Sequence, residues 1–336
     1  MFDPEKYLTN EFGDKNKVIV CDSNKLNDGW RDKIAKSNRN SEYNWHNLTQ
    51  DMLNLEEYNH GDITEHVADL DDDLDFEELA NKDLPKRVLA FSSKLLLEQL
   101  SKKLKTSVDG TFKSSCALWG QMFVWMVKAD GYWIPTVFGW LPDKSEDSYK
   151  VFFHLVIEKM KELRLDLEVE SVLCDFELNI MKSIDVMLQC PILGCFFHHK
   201  KCFQRRVERS GFKTIYQNDE KFKSFINQCS SLSQLPIEDV QEGLDDITER
   251  FKFEDERTDA FKDDFIRYIQ DFWIDGCLPP RVWNCFGRSD DLTNNNQEGY
   301  NSKFNKELKE THPSLGILLC HINSQILLSE EKIVLE

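Results

Sequence analysis

Apolar and polar positions fall into short, regular blocks from about residue 85 onward. Residues 85–103 carry apolar positions at helical spacing and predict a short amphipathic helix. Residues 104–112 read as a strand ending at Asp109, with Gly110 permitting a tight turn. Residues 116–128 are rich in aromatic and β-branched side chains, and 132–141 repeat the pattern. Ala129-Asp130-Gly131 between them is a hairpin signal, and Pro142-Asp143 ends the second strand. Over 146–163, Tyr149, Phe152, Phe153, Val156, Ile157, Met160 and Leu163 line one helical face. Val169–Cys174 is a short apolar strand delivering Asp175. Residues 177–188 form an amphipathic helix, 191–197 a further strand, and 199–210 a basic helix ending at Gly211.

This gives strand, strand, strand, helix, strand, helix, strand, helix. An antiparallel hairpin followed by βα units predicts an α/β fold with a mixed sheet flanked by helices, the order of an RNase H-like core. In that order the ends of the first and fourth strands are adjacent. Asp109 and Asp175 would then meet, although they are far apart along the chain. The core spans 85–214, and a mostly helical, acidic insertion occupies 215–290 and closes at Pro279-Pro280. Residues 291–336 complete the core, with a helix over 294–310 that turns Glu298 toward the sheet. Residues 1–84 show little periodicity. The tract at Asp69–Asp83 reads as a solvated acidic segment, partly disordered, and better explained as a solubilising linker than as a nucleic-acid mimic.

Composition changes this picture in one respect. The net charge of −18 over 336 residues argues against a nucleic-acid partner. Yet residues 1–84 carry a net −12 and residues 236–264 a net −8, so the remainder is about +2. The acidity belongs to flanking and inserted segments. Ten cysteines, with no Cys-x-x-Cys pair, fit buried thiols better than a disulfide framework. No apolar run approaches the about 18 residues of a membrane span. The opening Met-Phe-Asp-Pro-Glu-Lys has no basic-then-apolar pattern, so no secretory signal is expected.

The candidate chemistry rests on three carboxylates: Asp109 in Ser-Val-Asp-Gly-Thr-Phe, Asp175 in Leu-Cys-Asp-Phe-Glu, and Glu298 after Thr293-Asn294-Asn295. Hard divalent cations need oxygen ligands. Two strand ends and one helix can hold the cation pair of a phosphoryl-transfer site. Each acid taken singly is explained as a turn or cap residue. Thr293 or Asn294 can cap the helix, and an Asn near the metals could also orient Glu298 or contact a phosphate.

The second cluster is Cys195-Phe196-Phe197-His198-His199-Lys200-Lys201-Cys202. Cys-x-x-His could be half of a zinc site, with Cys202 and His199 nearby, but no second pair lies at finger spacing. Packing and hydrogen bonding beside the site, or a phosphate contact from His198, explain it better. Lys200, Lys201, Arg205, Arg206, Arg209 and Lys213 face one acid, Glu208. That surface suits a DNA backbone, and it suits pairing with the acidic insertion equally well.

Read in order, these residues resemble the Mutator-like element (MULE) transposase domain. The matching features are Val-Asp-Gly-Thr-Phe at 108–112, Pro135, Asp175-Phe176-Glu177, Cys195-x-x-His198, Gly211-Phe212 with Tyr216, and Asn294-Asn295-x-x-Glu298-Gly299-Tyr300 followed by Phe304-Asn305. The resemblance covers about 85–310 and implies an RNase H-like, DDE-type DNA transposase using Mg²⁺ or Mn²⁺. Asp109, Asp175 and Glu298 would be its catalytic, metal-binding triad, and Cys195 and His198 its Cys/His signature. It implies double-stranded DNA partners (transposon ends and target), a homo-oligomer that pairs those ends, a nuclear location, and no membrane. Residues 1–84 hold one cysteine, Cys21. The N-terminal zinc module of such enzymes is therefore not expected, which keeps open a domesticated or truncated DNA- or chromatin-binding descendant without catalysis.

Overall fold

The structure, a computed structural model, describes residues 3, 6, 8–9, 18–26, 87–102, 104–111, 119–288, 292–293, 295–308 and 313–335. Most of 1–84, including the Asp69–Asp83 tract, lies outside the described residues.

A mixed seven-stranded sheet with helices on both faces makes this an α/β protein. The strands are β1 (Ile19–Asp22), β2 (Leu89–Ser92), β3 (Leu104–Thr111), β4 (Gln121–Ala129), β5 (Tyr132–Leu141), β6 (Val169–Cys174) and β7 (Ile192–Gly194). They lie in the order β1-β2-β5-β4-β3-β6-β7. The pairs β3–β6 and β6–β7 are parallel and the others antiparallel.

β4 shows why the sheet sits at the centre. Its side chains alternate between two cores with the strand period of two. Phe123, Trp125 and Val127 enter one core, and Met122, Val124 and Met126 enter the other. A strand buried on both faces reads as a continuous apolar run, which is what Met122–Val127 is. The β4–β5 hairpin turns at Asp130 (φ 47°) and Gly131 (φ 86°), the two left-handed residues that a tight primed turn needs. The register shifts beside Trp125, where Val137 pairs with Trp125 but Pro135 pairs with Met126. Thr136 is the extra residue. Its hydroxyl donates to the Trp125 carbonyl (2.8 Å), and its own carbonyl accepts from the Ser92 hydroxyl (2.6 Å). Pro135, without an N–H to lose, fits at such a bulge.

The first core face is covered by α2 (Glu146–Glu162) and α3 (Leu178–Leu188), and it continues into the helical insertion. Within the insertion run α5 (Lys213–Asn218), α6 (Glu220–Ser231), α7 (Val240–Arg250), α8 (Glu256–Tyr268) and α9 (Pro280–Trp283). Its interior is aromatic: Phe212 stacks on Phe222 and on Phe261, which are tilted against each other, and Phe225 packs against Phe251 and Phe265. The second face is closed by α10 (Asn295–Leu308) and α11 (Leu315–Leu335) through Phe304, Leu318, Leu319, Ile322 and Ile326. Among the described residues, no helix is long and apolar enough to cross a membrane.

Four details differ from the sequence expectation, the first being that β1 lies within residues 1–84, where no ordered element was expected, and pairs with β2. Residues 85–103 are not one helix: they hold β2 and then α1 (Lys94–Leu100), capped by the Ser93 hydroxyl. The apolar run Val88–Phe91 is too short for periodicity to separate strand from helix, and pairing with β5 decides it. Gly110 is not in a turn. It lies within β3 opposite Phe123, and a Cβ there would collide with the Gln121 side chain. The strand expected at 191–197 stops at Gly194, and α4 (Phe196–Arg209) begins three residues earlier than expected. The Phe196 N–H donates to the Leu292 carbonyl (2.8 Å), outside any ladder. Gly211 does end the following turn with φ 75°.

Candidate metal centre at the carboxyl ends of the strands

Register brings the first two carboxylates together. β3 pairs with β6 in parallel, Ser107 opposite Leu173. The same offset carried two residues further sets Asp109 across from Asp175. β6 pairs with β7, Cys174 opposite Gly194, and one step further sets Asp175 across from Cys195. The Cys195 N–H extends that ladder by donating to the Cys174 carbonyl (3.0 Å). Asp109, Asp175 and Cys195 thus leave three neighbouring strands at their carboxyl ends, where ligands bind in open α/β sheets.

The third carboxylate arrives on α10, which runs along β3 as a ladder of amides. The Ser107 hydroxyl donates to Gln297 Oε1 (2.6 Å), Asn301 Nδ2 donates to Asp109 Oδ2 (2.7 Å), and Asn305 Nδ2 donates to Thr111 Oγ1 (3.3 Å). Four helical residues rise about 6.0 Å and two strand residues about 6.8 Å, so helix positions four apart match strand positions two apart. Gln297 is fully buried and also donates to the Val124 carbonyl (3.2 Å). Glu298 follows it and is held at this end of the sheet.

His198 ties the carboxylates together. On the first turn of α4, its Nδ1 lies 2.8 Å from Asp175 Oδ1, and its Nε2 lies 3.7 Å from Glu298 Oε1. Burial alone would lower the imidazole pKa. The Asp175 charge and hydrogen bond, with a further hydrogen bond to Cys195, overcome that and push it up to about 11. Asp109 moves the other way. Although half-buried by its surface, its carboxyl is well removed from water. Desolvation, then the Asp175 charge, raise its pKa well above 3.8, against a lowering by His198 and a small further rise from Glu298. The Gly110 N–H donates to Asp109 Oδ1 (2.8 Å). Three carboxylates therefore share one electrostatic site with a single imidazolium between two of them.

A second polar layer sits beside Asp109. The buried Tyr149 hydroxyl donates to Glu177 Oε1 (2.6 Å) and accepts from Gln121 Nε2 (3.0 Å), while Lys144 Nζ lies 3.2 Å from Glu177 Oε2. Burial first, then Glu177, raise the Tyr149 pKa well above 10, so it stays a phenol.

The neighbours of the Cys-x-x-His pair do not join it. His199 is buried on the adjoining face of α4, stacked on Trp283 (5.3 Å between centroids, 2° between planes) and edge-on to Trp273 (4.5 Å). Burial pushes its pKa down to about 3, and neither ring nitrogen has a hydrogen-bond partner among the described residues. Cys202 is buried one helical turn past His198, with a thiol that burial raises to about 12.

On the outer face of α4, Lys200 Nζ lies over the Phe196 ring (5.7 Å) and Lys201 Nζ over the half-exposed Phe197 (4.5 Å). Arg206 pairs with Asp264 of the insertion (2.9 Å) and lies against Tyr268 (5.1 Å). Lys200 and Arg209 are exposed, and Lys201 and Arg205 half-buried. Asn294 lies outside the described residues, so the helix cap expected there does too.

The sequence reading missed Gln297, Asn301 and Asn305 as a positioning set. The signal was present, since three carboxamides four residues apart mark one helix face. No family model matches this chain, and no curated protein matches it.

Proposed function

We propose that this chain is a DDE-type DNA strand-transfer enzyme of the Mutator-like class, with Asp109, Asp175 and Glu298 as its metal-binding triad. The observation that carries this reading is the convergence of those three acids about His198. The strand order β5-β4-β3-β6-β7, an antiparallel hairpin continued by two parallel strands, supports an RNase H-like core.

The donor set fits a hard cation. Three carboxylates supply oxygen ligands, and burial together with the Asp175 charge makes ionised Asp109 costly, a cost that a bound cation would offset. The Asn301 carboxamide, which holds Asp109, has a buried Oδ1 with no hydrogen-bond partner among the described residues. Mg²⁺ or Mn²⁺ bound there would activate a water or DNA 3′-hydroxyl and offset charge on the phosphoryl oxygens. The chain's residues do the positioning. The strand ends fix Asp109 and Asp175, Asn301 and the Gly110 N–H hold the Asp109 rotamer, and Gln297 anchors the turn that presents Glu298. His198 orients Asp175 and faces Glu298 with its other ring nitrogen. Lys200, Lys201, Arg205 and Arg209 on α4, with Arg206 shared with the insertion, would track the DNA backbone. The partners would be double-stranded transposon ends and target DNA, handled by a nuclear homo-oligomer.

A second reading is a descendant that binds DNA or chromatin without catalysis. One observation favours it: His198 already supplies a cation between Asp175 and Glu298. The two separate by assay. Catalysis predicts Mg²⁺-dependent nicking or joining of DNA by the parent chain, lost in Asp109→Ala, Asp175→Ala and Glu298→Ala. Folded variants that cut as well as the parent would refute the triad. A parent chain that binds DNA without cutting would support the second reading.

A further inference from the structure

We propose that Asp175, Cys195 and His198 form a separate site for a thiophilic divalent ion of the zinc type, which shares Asp175 with the hard-cation centre. One ligand atom from each of the three residues can be chosen so that all lie within 4.8 Å of one another. The mixture of thiol, imidazole and carboxylate differs in kind from the all-oxygen triad, and it suits zinc rather than magnesium.

The geometry goes beyond proximity. His198 Nδ1 lies 2.8 Å from Asp175 Oδ1, and the Cys195 thiol is a further partner of the same imidazole, so the three donors gather about one small space. A tetrahedral ion in that space needs the nitrogen–oxygen separation to open to about 3.3 Å, a change of a few tenths of an ångström. The other ring nitrogen already faces Glu298 at 3.7 Å. A metal-bound histidine commonly directs its second N–H to a carboxylate, which fixes the tautomer. Cys195 is fully buried, whereas His198 and Asp175 remain partly open, which leaves a path for the ion.

The backbone fixes the ligands in advance. Asp175 and Cys195 end adjacent parallel strands, and His198 stands on the first turn of the helix that starts at Cys195. Cys202 and His199, the companions that spacing alone suggests, are not part of the site. His199 is enclosed by Trp283, Trp273 and Phe203, and the third ligand comes from the neighbouring strand. Binding replaces the Nδ1 proton and the Cys195 thiol proton, both released to solvent. The fourth position is left to water.

Sharing Asp175 has a consequence. An ion held by Asp175, Cys195 and His198 withdraws one carboxylate oxygen from the triad and places positive charge beside it. Thiophilic and hard ions should therefore antagonise each other, reciprocally. That antagonism rests on the catalytic reading above; the binding of the thiophilic ion does not.

Titration of the full-length chain with Co²⁺ in Mg²⁺-free buffer tests the site. One equivalent should produce a thiolate-to-cobalt charge-transfer absorption that Zn²⁺ abolishes by displacement. Cys195→Ser should lose the band, and His198→Gln should bind Co²⁺ at least about tenfold more weakly, no less than removal of an outer-shell partner costs. Cys202→Ala and His199→Phe should keep the band. Far-ultraviolet circular dichroism checks each fold, and if Cys195→Ser fails to fold, His198→Gln decides alone, its side chain being partly exposed. No band in the parent, a band that survives in folded Cys195→Ser, undiminished Co²⁺ affinity in His198→Gln, or a band lost in Cys202→Ala would overturn the site. In a second arm, Mn²⁺ affinity, read by electron paramagnetic resonance, should fall about tenfold when Zn²⁺ is present. If the Co²⁺ band forms but Mn²⁺ affinity does not change, the soft site stands and the antagonism is overturned.

Discussion

His198 and His199 are adjacent in sequence and share one helical turn, yet they live in opposite chemistry. His198 lies between Asp175 and Glu298, and the Asp175 charge outweighs burial to hold it as an imidazolium up to about pH 11. His199 turns about 100° further round α4 into Trp273, Trp283 and Phe203, where burial keeps it neutral down to about pH 3. Their links to stability have opposite signs. The His198 contribution is complete below its unfolded pKa of 6.5 and is lost as pH rises through about 11. The His199 side favours folding above 6.5, and that contribution is lost as pH falls toward about 3. Residue type alone does not assign chemistry; the helix face does.

The largest expected effect is on the aromatic side. Trp283→Ala removes the ring stacked on His199 and the indole N–H that donates to the Trp273 carbonyl (2.8 Å). It should cost about 3–5 kcal/mol in urea unfolding. A cost under about 1 kcal/mol would mean that this side is not packed as described. Next is the acid limb. The unfolded chain binds one more proton at His199 than the native chain does between pH 6.5 and about 3. Parent stability should therefore fall by about 1.4 kcal/mol per pH unit from this residue. His199→Phe should remove that component, and an unchanged acid slope would place a polar partner on the ring.

On the carboxylate side the expected sign reverses. Asp109 has a raised pKa, so its ionisation at neutral pH opposes folding. Asp109→Asn should stabilise the chain in metal-free buffer by about 0.5–2 kcal/mol while abolishing Mg²⁺-dependent cleavage. Destabilisation would show that the carboxylate is compensated by something other than a cation. The smallest effect concerns the outer face of α4. Replacing Arg205 and Arg206 together should lower the salt slope of DNA binding by about 1, most of it from Arg205, because Arg206 is engaged with Asp264. An unchanged slope leaves this helix as a surface that pairs with the insertion.

Much of the sheet was legible in the pattern of residues. β5 and β6 fall at their expected bounds, the Asp130-Gly131 turn forms, and α2 and α3 lie within one residue of expectation. These segments have strong periodicity or strong turn chemistry, so local preference and tertiary contact agree. Where the two compete, the reading failed. Phe196 and Phe197 look like strand residues but start a helix, and that shift places Cys195 at a strand end with His198 one turn above it. β1 and β2 are short, and pairing with neighbours that sequence cannot reveal makes them strands. The amide ladder of Gln297, Asn301 and Asn305 was hidden for another reason. A polar stripe on a helix reads as solvated until the face of a central strand carrying Ser107, Asp109 and Thr111 is found opposite it.

The central claim is that Asp109, Asp175 and Glu298 converge to hold divalent cations. A crystal soaked in Mn²⁺, with anomalous diffraction recorded at the manganese edge, tests it most directly. The account predicts manganese bridging Asp109 and Asp175 with Glu298 as a further ligand. Well-ordered carboxylates with no manganese among them, at concentrations that load other sites on the protein, would contradict it.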